Sequence, residues 1–286
     1  MSKFLSGLIF DAIIANAIQE DLGWGDITTE ILVPGDLNGE GSFLVKGTGV
    51  LAGMEVAEAV FKLVDPTLVF NVLLPDGSKV AKGDIAGTVS GCVSGILKAE
   101  RTALNFLQRL SGTATMTARF VETLSGLKTR VTETRKTTPG LRYLEKYAVR
   151  VGGGYNHRHH LGDGVLIKDN HLVALERSGM SLEGVIKKAR SAAPHTLRIE
   201  VEVTSVEDAM VAAEAGAEVI LLDNMSLEEM KRAVIAINGR AIVEASGGIN
   251  LDNARKIAET GVDIMSVGAL THSAPSLDIS LELEYK

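Results

Sequence analysis

Apolar segments rich in β-branched residues recur through the second half of the chain, and segments with amphipathic helical spacing separate them. The apolar segments lie at 129–133, 165–167, 197–203, 219–222, 241–245 and 262–267. The last four begin 21 or 22 residues apart, with one helix-length segment in each gap. Repeated βα units of this length predict a parallel sheet whose strands are joined by right-handed crossovers.

Residues typical of helix ends support this alternation. Ser205 with Asp208, and Ser226 with Glu229, form S-x-x-[DE] sequences that are typical of a capping box. Asn250 is suited to cap a third helix. Glycines stand where helix C termini are expected, at Gly216, Gly239 and Gly261. The pattern therefore predicts three successive helices between the last four strands.

Polar or charged residues follow nearly every predicted strand, and this distinguishes two parallel-sheet architectures. In chain order, the strand-end residues are Glu133, Arg135, Lys136, Lys168, Asp169, Glu202, Asp223, Asn224, Glu244, Ser246 and Gly268. An open sheet binds its ligand at one switch point and uses two or three strand ends, whereas a barrel brings all its strand ends to one mouth. We therefore predict an α/β barrel. About six βα units fall short of the usual eight, so the barrel is expected to be incomplete or atypical.

The first 115 or so residues have a different pattern. Short β-like segments lie at 39–51, 68–74 and 87–94, and helices are predicted near 7–20 and at 54–64. One long helix, or two joined helices, covers 96–124. Mixed elements of this kind are typical of an α+β fold. We predict a smaller sandwich-like α+β domain at 1–115, a parallel α/β barrel domain at 116–273, and a tail at 274–286 that packs on the first domain.

Composition narrows the class of protein. The hydrophobic content of 45% and charged content of 23% are ordinary for a globular enzyme. No run approaches about 18 apolar residues, which argues against a membrane protein, and the first residues suggest an amphipathic helix, not a signal peptide. The single cysteine, Cys92, excludes an internal disulfide and favours a cytoplasmic location. A pI near 5.5 argues against nucleic-acid binding.

A basic island interrupts this acidic chain between Arg135 and Lys168. It contains seven Lys or Arg residues against two acids, whereas the whole chain carries a net charge of −7. The simplest interpretation is a solvated basic face. However, the charges are interleaved with the glycines at 152–154 and with three histidines, which a solvated helix face does not need. The island therefore favours a site for a small, multiply anionic ligand.

Acids and glycines at other strand ends suggest the rest of such a site. Glu202 and Asp223 can stabilise positive charge or hold hydroxyl groups or Mg²⁺, although acids at strand ends also simply pair with lysines. A glycine-rich turn is often only a turn. Two of them after consecutive late strands indicate a phosphate site, to which His272 is a candidate addition. The residues of these two turns are Ser246, Gly247, Gly248 and Gly268.

Eight segments in register resemble the quinolinate phosphoribosyltransferase family. They are ERTALNFLQRLSG (100–112), TRKTTPGLR (134–142), GGGYNHR (152–158), LIKDNH (166–171), EVEV (200–203), LLDN (221–224), EASGGI (244–249) and VGALTHS (267–273). The resemblance implies an N-terminal α/β sandwich-like domain and an incomplete barrel, in a homodimer or a higher oligomer with shared active sites. It also implies a reaction in which quinolinate and phosphoribosyl pyrophosphate give nicotinate mononucleotide, pyrophosphate and carbon dioxide, with Mg²⁺.

The resemblance also implies roles for individual residues. Arg135, His157 and Arg158 are expected around the quinolinate carboxylates. Lys136 and Lys168 are expected near both substrates and the pyrophosphate, and they form the catalytic set together with Glu202 and Asp223. Arg101 is expected to act in the partner's site, although a surface charge on a helix is the simpler interpretation of it. Glu202 is preferred to its neighbour Glu200 by the resemblance, while His159 and His160 receive no role.

Two alternatives remain at this point. The molybdate-transport-associated branch of the same fold has a different acceptor and keeps an RKT-type motif, but it tends to differ at the NHR and IKDNH positions that are intact here. A phosphate-sensing binding module on a barrel would require the lysines and acids to be incidental. Both polyanionic substrates of the quinolinate enzyme suit the basic island, because Arg recognises carboxylates in a bidentate manner and Lys acts as a point charge on phosphate.

Overall fold

The computed structural model describes residues 7–176 and 179–285. Contacts within the chain divide it into two compact units. The first comprises residues 1–118, 137–153 and 270–286, and the second comprises residues 119–136 and 154–269. The boundaries predicted from the sequence, 115/116 and 273/274, assign 137–153 to the barrel domain, whereas this segment lies in the first unit.

The first unit contains a four-stranded antiparallel sheet and most of the longer helices. Its helices are α1 (Leu8–Leu22), α2 (Ile27–Leu32), α3 (Met54–Val64), α4 (Val93–Thr123), which extends into the second unit, and α5 (Arg142–Val151). Its strands are β1 (Asn38–Val45), β2 (Gly49–Val50), β3 (Val69–Val72), β4 (Lys79–Val80), β5 (Ile85–Cys92) and β12 (Ile279–Tyr285). The sheet order is β12-β1-β5-β3, and β2 pairs with β4.

Strand β1 lies between β12 and β5 and carries much of the core of this unit. Its residues alternate between buried and more exposed positions, as expected when one face of a sheet packs inward. Phe43 of β1 packs against Phe61 and Phe70 with ring centroids 5.9 and 5.5 Å apart. Because β12 pairs with β1 from Gly39↔Tyr285 to Val45↔Ile279, the C-terminal strand completes the sheet.

The second unit alternates strands with helices. Its strands are β6 (Arg130–Thr132), β7 (Val165–Ile167), β8 (Ile199–Val203), β9 (Val219–Asp223), β10 (Ile242–Ser246) and β11 (Ile264–Ser266). Its helices are α6 (Asp169–Glu176), α7 (Leu182–Ala192), α8 (Val206–Glu214), α9 (Leu227–Ile237) and α10 (Ala254–Ala258), and a short helix, α11 (Ala269–His272), begins at its end.

The six strands form a parallel sheet in the order β6-β11-β10-β9-β8-β7. Consecutive strands from β7 to β11 are neighbours, and the first strand, β6, pairs with the last, β11. Among the described residues, the ring of strands is open only between β6 and β7, where Tyr155 N donates to Val131 O at 2.8 Å. The predicted fold class, an incomplete parallel barrel with a smaller N-terminal domain, is confirmed.

Helix ends agree with the sequence at two sites, and at the third the predicted residue caps the turn that leads into the helix. Ser226 and Glu229 form a full capping box at α9, and the Ser205 side chain accepts from Asp208 N at the start of α8. Helix α10 begins at Ala254, and Asn250 Oδ1 accepts from the backbone nitrogens of the two residues before it, Asp252 and Asn253. Asn250 N donates in turn to Asn253 Oδ1 at 2.8 Å.

Three cations of the basic island, Arg142, Lys146 and Arg150, lie on α5 and differ in exposure. Arg150 is exposed, whereas Lys146 is only 1% exposed, so a solvated face does not describe Lys146. The neighbouring Glu145 is also buried and accepts from Arg109 Nη2 at 2.8 Å. Spacing places these residues on one side of a helix, but residues 144–149 are buried around the whole helix.

Helix α4 forms without a break across Ser111 and Gly112, which selects one long helix of 31 residues from the two predicted alternatives. Among the described residues, no helix is both long and apolar enough to cross a membrane.

Gly112 allows a close backbone approach inside the first unit. A methyl group at this position would lie 2.1 Å from Pro275 O and 2.9 Å from Ser276 Cα. Helix propensity alone favours alanine by about 1 kcal/mol, but backbone atoms cannot move aside as a flexible side chain does. We expect Gly112→Ala to lower the free energy of unfolding by about 1–3 kcal/mol, measured by urea denaturation.

Gly184→Ala in α7 is the matched control, because its added methyl would meet only Met180 Cγ at 3.1 Å and Ser181 Oγ at 3.5 Å. Met180 is a flexible side chain, so this variant should be as stable as the parent or more stable by up to about 1 kcal/mol. A Gly112→Ala protein as stable as the parent would contradict the packing argument.

Candidate active site

A cavity of about 550 Å³ lies at the C-terminal ends of the barrel strands in the second unit. Ten of the residues selected from the sequence line it: Arg135, Lys136, His157, Arg158, Lys168, Glu202, Asp223, Ser246, Gly247 and Gly248. The other lining residues are Thr134, Leu166, Leu221, Asn224, Glu244 and Ser266. The basic island and the strand-end acids therefore meet in one cavity.

Three selected residues are not among those lining the cavity. Gly268 lies in the second unit directly after β11. Arg101 is an exposed residue on α4 in the first unit. His272 ends α11 in the first unit, and its Nδ1 lies 2.6 Å from Ser273 Oγ. His159 and His160, which received no role, are exposed and take part in a local turn with Asp163.

Two guanidinium groups share the basic side of the cavity. Arg158 Nη1 donates to Gly164 O at 3.0 Å, which fixes one edge of that side chain. Burial and the positive charge of Arg135 lower the pKa of Arg158. This shift indicates that the two cations are held close together at a cost in free energy. A bound anion would relieve their repulsion, so the arrangement is suited to carboxylate or phosphate groups.

Lys168 and Glu202 form an ion pair at the cavity wall. Lys168 Nζ donates to Glu202 Oε2 at 2.8 Å, from the end of β7 to the end of β8. The Lys168 side chain is 45% exposed, whereas that of Glu202 is 12% exposed. Lys168 N donates to His171 Nδ1 at 2.9 Å, which orders the backbone where β7 ends and α6 begins. The pair therefore presents its ammonium group to the open part of the cavity.

The turn after β10 is closely packed against the turn after β9. Gly247 has a φ of 93°, and a Cβ there would lie 2.2 Å from Asn224 Oδ1. Asn224 N donates to Ser246 O at 3.0 Å, and Asn224 Nδ2 donates to Asp223 Oδ2 at 2.8 Å. Gly247 is therefore required by packing. Gly248, with a φ of 59°, has open space at its Cβ position, which leaves room beside its backbone.

The imidazole of His157 lies between two carboxylates at the buried end of the cavity. Its Nε2 is 3.5 Å from Glu200 Oε1 and 3.5 Å from Glu244 Oε1. Glu200 belongs to β8 and Glu244 to β10, and both are largely buried. Neither Glu200 nor Glu244 is among the site residues predicted from the sequence, where Glu202 is preferred to Glu200. A signal was present, because an acid inside an apolar strand such as IEVEV is rarely buried without a partner.

Opposing effects act on the protonation of His157. Burial lowers its pKa, but hydrogen bonds to Glu200 and Glu244 and their charges outweigh burial and raise the pKa to about 10. Arg158 N donates to Nδ1 of the same ring at 2.8 Å, which favours an unprotonated Nδ1. Two carboxylates facing Nε2 outweigh one peptide dipole from the adjacent residue, so the direction of the shift is upward.

The carboxylate pair also affects Glu200. Burial raises the pKa of Glu200, and the negative charge of Glu244 adds to this, while the hydrogen bond to His157 opposes it. The pKa values of Glu200 and His157 are therefore both raised. The cluster therefore holds its protons more tightly than isolated groups would.

Two sets of acids in the cavity differ in their suitability for a cation. One nitrogen of His157 and one oxygen each of Glu200 and Glu244 lie within 4.8 Å of one another. The imidazole N–H between the two carboxylates accounts for this spacing, so we assign no ion there. Glu202 and Asp223, which line the cavity at the ends of β8 and β9, supply carboxylate oxygens, which suit a hard cation such as Mg²⁺.

Sequence models of one family match almost the whole chain. The model described as "Quinolinate phosphoribosyl transferase, N-terminal domain" matches residues 26–111. The model of the C-terminal domain of the same family matches residues 113–282.

Individual proteins agree with the family models. The chain is 46% identical over 290 residues to the nicotinate-nucleotide pyrophosphorylase (carboxylating) of Mycobacterium leprae, covering 98% of this chain and 100% of that protein. It is 42% identical over 264 residues to the probable enzyme of that name from Bacillus subtilis, covering 92% and 90%. The crystal structure of NadC from Streptococcus pyogenes has a TM-score of 0.93 at 42% identity, covering 98% and 99%. The chain belongs to the quinolinate phosphoribosyltransferase family.

Proposed function

We propose that the cavity at the barrel mouth transfers the phosphoribosyl group of phosphoribosyl pyrophosphate to quinolinate and decarboxylates the product to nicotinate mononucleotide. One observation carries the proposal: five cationic or basic side chains and three acids from separate strands meet in one cavity of a chain in this family. The five are Arg135, Lys136, His157, Arg158 and Lys168. Both substrates are polyanions, which such a cavity is suited to bind.

The reaction needs charge stabilisation more than covalent catalysis by the protein. The pyridine nitrogen forms a bond to ribose C1 while the bond from C1 to the pyrophosphate oxygen breaks, and pyrophosphate leaves with the electron pair. The ring then carries a positive charge. The 2-carboxylate departs as carbon dioxide, its bonding electrons remain at C2 beside the ring nitrogen, and a proton adds there. Positioning of the two substrates supplies much of the rate enhancement of such reactions.

The basic side chains divide by chemistry. Arg135 and Arg158 carry planar forks that match carboxylates, and His157 lies beside them, so we assign these three to the carboxylates of quinolinate. Lys136 and Lys168 act as point charges, which suits the phosphate and pyrophosphate groups. The glycine turns of Ser246, Gly247, Gly248 and Gly268 are assigned to phosphate, with His272 as an additional candidate contact.

Glu202 and Asp223 are assigned to the ribose. Breaking the bond at C1 builds positive charge on the sugar, which nearby carboxylates stabilise. Mg²⁺ is the proposed cofactor, and when bound it neutralises negative charge on the pyrophosphate. Because Glu202 Oε2 contacts Lys168, Glu202 Oε1 and the carboxylate of Asp223 are the atoms that would reach the cation.

A homodimer with shared active sites, or a higher oligomer built from it, is part of the proposal. Arg101 is placed in the partner's site. Exposed apolar side chains in the first unit support an interface, because Trp24 is fully exposed and Ile27, Ile31 and Leu32 are each more than 70% exposed. The single cysteine and the acidic net charge support a cytoplasmic protein that does not bind nucleic acid.

The proposed reaction is tested directly with purified protein, quinolinate, phosphoribosyl pyrophosphate and Mg²⁺. We expect nicotinate mononucleotide and carbon dioxide to form in equal amounts. Nicotinate, which lacks the 2-carboxylate, serves as the control acceptor and should react much more slowly, because the arginine cluster would lose one of its two anionic partners. No product from quinolinate between about pH 6 and about pH 9 would refute the proposed activity.

The shared site is tested by mixing two inactive proteins, Arg101→Ala and Lys136→Ala. If Arg101 acts in the partner's site, a mixed dimer contains one site with both residues intact, so the mixture should recover up to about a quarter of the parental activity. This fraction is that of random reassortment, in which about half of the dimers are mixed and each has one intact site of two. Heterodimers confirmed by native mass spectrometry but lacking activity would contradict the trans role.

The ribose role is tested with Glu202→Gln and Asp223→Asn, which remove one negative charge each and preserve shape. We expect kcat to fall about 100-fold while the KM for quinolinate changes little, because the lost interaction forms mainly in the transition state. Glu228→Gln, on the outer helix α9, is the matched control and should retain parental kcat. Unchanged kcat in both cavity variants would contradict the role.

A further inference from the structure

His157 lies on an irregular segment that needs anchoring from outside. Residues 156–164 contain no helix or strand in the structure, so the backbone itself does not fix the ring. Glu133 fixes the main chain at this point, because its Oε1 accepts from His157 N and its Oε2 accepts from Asn156 Nδ2, both at 3.0 Å. The orientation of the imidazole then depends on what its ring nitrogens contact.

Nδ1 accepts from Arg158 N, whereas the contacts of Nε2 come from two strands that are separated by a third. Glu200 on β8 and Glu244 on β10 flank β9, and both reach the same Nε2 atom. Their side chains are only 12% and 3% exposed, so water screens these interactions weakly. A buried charge without a partner is costly, which means that the carboxylates and the imidazole hold one another in place.

Glu244 is itself held by a hydroxyl group from the adjacent strand, β11. Ser266 Oγ of β11 donates to Glu244 Oε1. Ser266 Oγ also lies 3.0 Å from Thr132 Oγ1 of β6, and both hydroxyl groups are buried. Hydrogen bonds therefore link β6, β11 and β10, and the ion pairs of His157 with Glu244 and Glu200 continue this chain of contacts to β8. Such largely buried networks restrict the side chains that they join.

We propose that Glu200 and Glu244 are positioning residues, which clamp the imidazole of His157 from its buried side and keep it cationic beside the two arginines that receive the acceptor's carboxylates. The catalytic consequence of this proposal rests on the proposed function. The protonation state of His157 rests on the geometry alone. Thr132 and Ser266 fix the position of the Glu244 carboxylate in this clamp.

The clamp has a clear electrostatic reason. Burial and the neighbouring positive charge of Arg158 both disfavour an imidazolium. The charged groups that face His157 are Glu200, Glu244 and, at its main chain, Glu133, with Arg158 following it in the chain. Three carboxylates on the buried side of the ring outweigh one arginine on the cavity side. They therefore favour the protonated, cationic form of the imidazole. A cationic ring adds charge attraction for a carboxylate that a neutral ring would lack.

The state of His157 is tested without substrate by ¹⁵N NMR titration of the histidine side chains, with the His157 signal assigned by its loss in His157→Asn. In the parent protein we expect a pKa far above 6.5, near the value of about 10 that its contacts favour. Glu200→Gln and Glu244→Gln each remove one charge and preserve shape, so each should lower this pKa by about one unit or more. An unchanged pKa in both variants would overturn the clamp.

The catalytic consequence is tested with the same variants at two pH values. At about pH 9.5 we expect kcat/KM for quinolinate to fall about threefold or more, because lowering the pKa of His157 from about 10 to about 9 reduces its protonated fraction about threefold at that pH. At about pH 6 most of this loss should disappear, because an imidazole with an ordinary pKa is largely protonated there. The KM for phosphoribosyl pyrophosphate should stay within about twofold of the parental value.

A merely structural role gives a different result, namely equal losses at both pH values and for both substrates, and this would overturn the proposal. Glu214→Gln, an exposed residue at the end of α8, is the matched control and should change neither the titration nor the kinetics. If the parent makes no product but its His157 titrates near 10 and shifts in the variants, the proposed function fails while the clamp stands.

Discussion

The pairing of the first barrel strand with the last is the constraint on which the site depends. β6 and β11 pair in parallel from Arg130↔Ile264 to Ser266↔Thr132, although about 130 residues separate them in the chain. Because all six strands run in the same direction, this pairing places the RK sequence after β6 at the same end as the acids after β8 and β9. The basic island and its counter-charges share a cavity for this reason.

Charge balance explains how the cavity tolerates so many cations. Lys168 pairs with Glu202, whereas Arg135 lowers the pKa of Arg158. Four Lys and Arg side chains share the cavity with Glu202, Asp223 and Glu244, and the buried carboxylates of Glu200 and Glu244 lie beside His157. Polyanionic substrates supply the missing negative charge, which links the electrostatics of the site to the reaction that we propose.

The sequence predicts the barrel well because its signals are local. Apolar β-rich segments, capping residues and strand-end polar residues depend on a few neighbours in the chain, and all six predicted strands form. Its error at Lys146 has a tertiary origin, because this residue has the charge and spacing of an exposed helix face but is buried by packing around α5.

By itself, the sequence determined the fold class, the family and most of the residues that line the cavity, because those follow from periodicity and from motifs in register. Only the tertiary structure decided which acids contact which bases. Glu200 and Glu202 lie two positions apart on one strand, yet one faces His157 in the buried interior and the other pairs with Lys168 at the mouth. The depth of each residue along its strand and the position of the neighbouring strands determine this difference. Neither can be read from the local spacing of residues in the sequence.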